Sequence, residues 1–193
     1  MENPYIGNAA TFLVSTVLGL YTLIVLLRLL LQLVRADFYN PISQFIVKIS
    51  NPPLRPLRKI IPGIFGIDSA SIILTLGLKA LELLIIISLN NGPITSSGIA
   101  VLTIAETLGL VINVFLFAIF IQVIISWVNP GTNSPISSLL SSLTSLILRP
   151  TRRIIKPVGM LDLSPMAAIV FLYLLTMLIV APLRDFGRHL LFS

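Results

Sequence analysis

The chain has 193 residues, of which 56% are hydrophobic and 10% charged, and its formal net charge is +6. Soluble domains carry roughly 25% charged residues; with so few charges and a mean hydropathy of +1.03, much of this surface must face lipid. No cysteine and a single histidine, His189, exclude disulfides, thiol catalysis, cysteine metal sites and a bis-histidine haem within one chain.

The first apolar run extends from about Ala9 to Val34. The segment before it has one Glu and no basic residue, so the run reads as a retained transmembrane helix and not a signal peptide. Its one internal charge, Arg28, is expected to snorkel toward the same interface as Arg35. The second run goes from Ser69 to about Leu89, with Asp68 as its expected N-cap. An uncharged Asn90 to Gly98 linker with turn chemistry follows. The third run, about Ile99 to Val128, is longer than a bilayer requires and ends near Trp127, which suits an interface. The fourth spans Ser164 to about Leu183; Ser164 is expected to cap it, with Pro165 in its first turn.

The basic residues orient these runs. Arg35, Lys48, Arg55, Arg58 and Lys59 lie between the first and second. Arg149, Arg152, Arg153 and Lys156 lie between the third and fourth. The linker between the second and third has none. The positive-inside rule then places both basic loops in the cytoplasm and both termini outside, with Arg184 and Arg188 as mild exceptions.

The two basic loops are copies. Asn40-Pro41-Ile42-Ser43 recurs as Ser134-Pro135-Ile136-Ser137. Leu54-Arg55-Pro56-Leu57-Arg58-Lys59-Ile60-Ile61 recurs as Leu148-Arg149-Pro150-Thr151-Arg152-Arg153-Ile154-Ile155, and Asp68 recurs as Asp162. One offset of 94 residues serves throughout, with ten of the 28 positions from Pro41 to Asp68 identical. An in-register match of this length marks a duplication, dividing the chain into residues 1–92 and 93–193. Each unit crosses the membrane twice, so the two are parallel repeats.

Each loop begins with a helical period: Ile42, Phe45, Ile46 and Ile49, and again Ile136, Leu139, Leu140 and Leu143. The pattern predicts helices over Pro41 to Ser50 and Pro135 to Leu148. They lie in the interface with the apolar face toward the acyl chains, or pack on the cytoplasmic mouth of the bundle. Proline is expected to interrupt them, presenting Arg55, Arg58, Lys59, Arg149, Arg152, Arg153 and Lys156 on kinked segments for anionic headgroups or a cytoplasmic protein partner. Nucleic acid is disfavoured, because no aromatic residues interleave with the basic ones.

The two Asn/Ser-Pro-Ile-Ser starts, the two Arg-Pro-x-Arg-Lys/Arg-Ile-Ile segments, and Asp68 and Asp162 resemble the YggT (YlmG-like) family of bacterial and plastid membrane proteins. The resemblance covers nearly the whole chain. It implies a bacterial inner-membrane location and a connection with osmotic-stress tolerance and ion homeostasis, or with cell division, nucleoid placement or cytochrome assembly. It supplies no catalytic residues.

Three ionisable residues fall inside the apolar runs: Lys79, Glu82 and Glu106. An unpaired charge at the midplane costs ~2.5 kcal/mol or more, so a Lys79–Glu82 pair at i, i+3 is the economical arrangement. Glu106 approaches Glu82 in depth or faces the outer headgroups. The second repeat has Tyr173 and Thr176 where the first has Lys79 and Glu82. A structural pair, an ion or proton pathway and a partner contact are all compatible with this asymmetry. Small residues at Ser15/Gly19 and Ala105/Gly109 would allow close helix packing.

The expected fold is thus an all-α membrane protein of about four transmembrane helices in two parallel repeats, each with an amphipathic interfacial helix in its cytoplasmic loop. No catalytic, cofactor or metal motif is present, and a non-enzymatic role is expected. Two readings stand: a protein supporting osmotic-stress tolerance through ion movement, as an oligomer because four helices make a thin bundle, and a scaffold or assembly factor recruiting a partner through its basic loops.

Overall fold

The computed structural model describes residues 4–63, 66–128, 134–155 and 162–192. The elements among them are helices: α1 (Pro4–Leu33), α2 (Pro41–Ile60), α3 (Ser69–Leu89), α4 (Ser96–Val128), α5 (Pro135–Ile154), α6 (Ser164–Leu175) and α7 (Ala181–Phe192). A five-residue π turn, Thr176–Val180, joins α6 to α7. Four stretches are long and apolar enough to cross a membrane: Tyr5–Leu33, Ser69–Leu89, Ser96–Val128 and Ser164–Phe192. The chain is a multi-pass membrane protein. Its fourth span reaches Phe192, beyond the expected end at Leu183, and so takes in Arg184, Asp185 and Arg188.

Within each repeat the two long helices lie side by side, α1 along α3 and α4 along α6, the π turn and α7; α3 also meets α4. The core joins both repeats. Leu26, Leu29 and Leu30 of α1 meet Val114, Phe115, Ala118 and Ile119 of α4, with Leu143 and Leu148 of α5 and Ala168 and Leu172 of α6. Lipid tails are as apolar as leucine, so this contact stabilises by close packing more than by dehydration. At one end Ile99, Leu102 and Leu191 cluster between α4 and α7. At the other, Leu31, Ala36, Ile46 and Leu139 bring the starts of α2 and α5 together. There the Asn40 amide donates to the Pro135 carbonyl (2.7 Å) and the Ser138 hydroxyl (3.2 Å).

The loop helices are longer than expected. α2 runs through Pro52, Pro53 and Pro56, and α5 through Pro150, with no break. A proline inside a helix removes one hydrogen bond to the carbonyl four residues back. For Pro53 that carbonyl is Ile49, and the Tyr21 hydroxyl of α1 donates to it (3.4 Å). The bundle thus supplies a donor to the one carbonyl that Pro53 leaves without an amide partner. Neither helix lies free: α2 buries Ser43, Ile46, Ser50 and Leu54, and α5 buries Leu139, Leu143, Thr144 and Leu148. Phe45, expected on the apolar stripe with Ile46, is 61% exposed.

The helix starts agree closely with the sequence, with one exchange. Asp68 caps α3 by accepting from the Ser71 amide, as its position predicts. Ser164 is not the cap of α6. It is the first helical residue, and Asp162 accepts both its amide (3.0 Å) and its hydroxyl (2.5 Å). Asp68 is the N-cap of α3, whereas Asp162 stands one residue before the Leu163 cap of α6; both carboxylates accept from an amide in the first turn of the helix that follows.

Candidate functional site

The polar groups of the first repeat collect along the seam between α1 and α3. At one end Arg28, the lone charge inside α1, is 7% exposed and does not snorkel. Its Nη1 donates to the Ser50 hydroxyl (2.9 Å), the Asn51 carbonyl oxygen (2.6 Å) and the Val47 backbone carbonyl (3.3 Å) of α2. A charged donor bonded inside the protein avoids the cost of facing hydrocarbon. The second repeat holds the same place with neutral groups. Gln122 and Thr144 stand 94 residues after Arg28 and Ser50, and the Thr144 hydroxyl donates to the Gln122 side-chain carbonyl.

Beside this lies an ion pair between Arg58 of α2 and Asp68. The Asp68 carboxylate also accepts from the Ser71 hydroxyl (2.6 Å). Burial pushes the Asp68 carboxyl up, but the hydrogen bonds from Arg58 and Ser71 outweigh it and hold the group below its ordinary value. Arg152 and Asp162 repeat the pair at 2.9 Å. There too burial is outweighed, by the bonds from Ser164 and the charge of Arg152, and the carboxyl lies below its ordinary value.

From Asp68 a line of hydroxyls climbs α3. Ser71 and Thr75 are fully or nearly fully buried, and the Thr75 hydroxyl donates to the Ser71 carbonyl (2.7 Å). Thr22 of α1 is fully buried as well. The line leads to Lys79 and Glu82, whose Nζ and Oε2 are 2.9 Å apart with 12% and 9% of the side chains exposed. Lys79 is at the midpoint of the 21-residue α3. Glu82 lies against Gly19 of α1, where an added Cβ would be 4.0 Å from both carboxylate oxygens.

Glu106 joins neither Glu82 nor a free surface. It forms an ion pair with Arg184 of α7, in which Nη2 donates to Oε2 (2.9 Å) and Nε lies 2.8 Å from Oε1. Gly109 makes room for it: a Cβ there would meet Arg184 Nη2 at 2.8 Å. Gly19 and Gly109, read from the sequence as helix-packing positions, thus also admit charged side chains from a neighbouring helix. The sequence offered one signal for this pair, since Arg184 is out of place under the positive-inside rule.

Of the seven basic residues proposed to meet a ligand, Arg58 and Arg152 are engaged by Asp68 and Asp162. Arg55, Lys59, Arg149 and Arg153 are exposed at the C-terminal ends of α2 and α5, outside every ion pair among the described residues. Lys156 lies outside the described residues.

The CCB3/YggT family profile matches this sequence twice, over residues 7–89 and 101–183. The chain belongs to the CCB3/YggT family. The first match runs from α1 to the end of α3, and the second from α4 into the start of α7. Among family relatives, an uncharacterized protein of Pseudomonas aeruginosa is 42% identical over 91% of this chain and 90% of its own length. The uncharacterized protein YggT of Escherichia coli is 37% identical over 95% of this chain and 96% of its own length. A protein of Vibrio alginolyticus, from the region 3′ of proC, is 40% identical over 81% of this chain and 85% of its own. No solved structure matches the chain.

Proposed function

We propose that this CCB3/YggT protein is a non-enzymatic component of the bacterial inner membrane that supports osmotic-stress tolerance by taking part in ion movement, with Lys79 and Glu82 as the exchanging pair. Both basic loops face the cytoplasm, and α2 and α5 lie at that interface with Arg55, Lys59, Arg149 and Arg153 toward anionic headgroups. One observation carries the reading. A charged pair at mid-span lies on the seam between two helices, with the buried hydroxyls of Ser71 and Thr75 spaced toward Asp68 on the same helix, and the second repeat has Tyr173 and Thr176 in its place. Ionisable groups inside a membrane are costly, and they mark ion and proton routes when polar neighbours lead to them.

The test is ion flux in proteoliposomes made with the full chain. Lys79→Leu alone strands Glu82 and should cost ~3–5 kcal/mol of stability, whereas Lys79→Leu with Glu82→Leu should fold. Ion movement predicts flux from the parent and none from the folded double variant, which also fails to support growth at high osmolarity. A double variant with parental flux would sink the proposal.

The four exposed basic residues favour a second reading, a scaffold that recruits a division, nucleoid or cytochrome-maturation partner. On that reading, replacing Arg55, Lys59, Arg149 and Arg153 with Gln abolishes function, while the Lys79/Glu82 double variant remains active.

A further inference from the structure

The second repeat carries a polar patch that the first repeat does not. Asn113, Phe117 and Phe120 fall at i, i+4 and i+7 on α4 and, with Leu116, face Ile169 and Tyr173 of α6 across a cleft of about 340 Å³. Asn113 is at the middle of the 33-residue α4, at the depth where water is absent. Neither its carboxamide nor the Tyr173 hydroxyl has a hydrogen-bond partner among the described residues. Phe117, Phe120 and Tyr173 are each more than half exposed.

The repeat offset shows what is unusual here. Asn113 and Tyr173 stand 94 residues after Gly19 and Lys79. In the first repeat the polar group at this place is satisfied within the chain, by Lys79 and Glu82 beside Gly19. In the second repeat the place is taken by neutral groups that open outward. Lipid tails offer no donor or acceptor, and an unmet amide in hydrocarbon is costly. Side-chain amides in membrane helices therefore associate with polar groups on other helices.

We propose that this α4–α6 face is the contact between two copies of the chain. The occupant is set by symmetry. Copies inserted in the same direction are related by a two-fold axis along the membrane normal, which brings each residue near the axis against itself at the same depth. A carboxamide is its own complement: Nδ2 of each Asn113 donates to Oδ1 of the other. Phe117 and Phe120 of the two copies close around the pair. The inference does not depend on whether the protein moves an ion.

The absence of cysteine makes the test direct. In membranes holding the full chain, Phe117→Cys should yield a dimer on oxidation. Val17→Cys, on a 63% exposed position of α1, should not. Asn113→Leu should weaken self-association about tenfold or more in detergent while leaving the melting temperature of the helices unchanged, and Asn113→Gln should retain it. Equal crosslinking at residues 17 and 117, a monomer with a bound lipid or small molecule in the cleft, or a dimer indifferent to Asn113→Leu would each overturn the proposal.

Discussion

At the scale of single residues, what decides the outcome is whether a charge is sealed or wet. The Asp68 side chain is 7% exposed in its pair with Arg58, and that of Asp162 is 37% exposed in its pair with Arg152. Exposed pairs contribute ~0–1 kcal/mol, and a lost N-cap costs ~1 kcal/mol. Asp68→Ala should therefore lower the melting temperature clearly more than Asp162→Ala; equal shifts in detergent-solubilised protein would contradict the burial argument. Both carboxyls lie below their ordinary values in the folded chain, so each contributes stability that is full above the unfolded value of ~3.9. That contribution is lost as the pH falls through the folded value. Stability should hold level from about pH 5 upward and decline below about pH 4, and Asp68→Asn should flatten the decline. Arg28 is another sealed charge. Tyr21→Phe removes one neutral bond to α2 and should cost about 1 kcal/mol. Arg28→Leu removes a charged donor with three acceptors and should cost roughly 2 kcal/mol, read from thermal unfolding of the two variants side by side.

At the scale of helices, glycine positions separate contact from open lipid. A Cβ on Gly187 of α7 would meet Leu102 of α4 at 2.8 Å and its backbone nitrogen at 3.1 Å, whereas one on Gly77 of α3 meets nothing within 4 Å. Gly187→Ala should cost about 1–3 kcal/mol through overpacking. Gly77→Ala should be neutral or stabilising by up to ~1 kcal/mol, because alanine is the better helix former. The π turn at Thr176–Val180 makes a second contrast. It accommodates one residue more than an α turn would, and it leaves Arg184 over Gly109 and Leu191 against Gly98. Deleting Leu178, 72% exposed inside the turn, should convert it to α-helix and keep the Glu106–Arg184 pair. Deleting the exposed Asp185 rotates the remainder of α7 by about 100°, displacing Gly187 and Leu191 from α4, and should cost roughly 2–4 kcal/mol. Similar melting temperatures for the two deletions would rule out this role for the π turn.

At the scale of the whole molecule the orientation is directly measurable. Cysteine placed at Ser96, exposed at the start of α4, should react with an impermeant thiol reagent on intact cells. Cysteine at Ser141, exposed on α5, should react only after permeabilisation. Labelling in the opposite sense would invert the topology, and with it the assignment of the basic faces to the cytoplasm.

The sequence by itself determined the number of spans, the duplicated loops and the Asp68 cap. Hydropathy over some twenty residues, a constant offset and capping chemistry are local properties, readable without knowing what packs where. Only the tertiary structure decided the partners of the isolated charges. Arg28 finds Ser50 across 22 residues and Glu106 finds Arg184 across 78, and helical periodicity carries no information about side chains on other helices. The donor that meets the carbonyl freed by Pro53 is of the same kind, since Tyr21 reaches the Ile49 carbonyl from α1. Lys79 and Glu82 were legible because their partnership is one helical turn long. Gly19 and Gly109 were legible as small, but their role as space for Glu82 and Arg184 exists only where two helices meet.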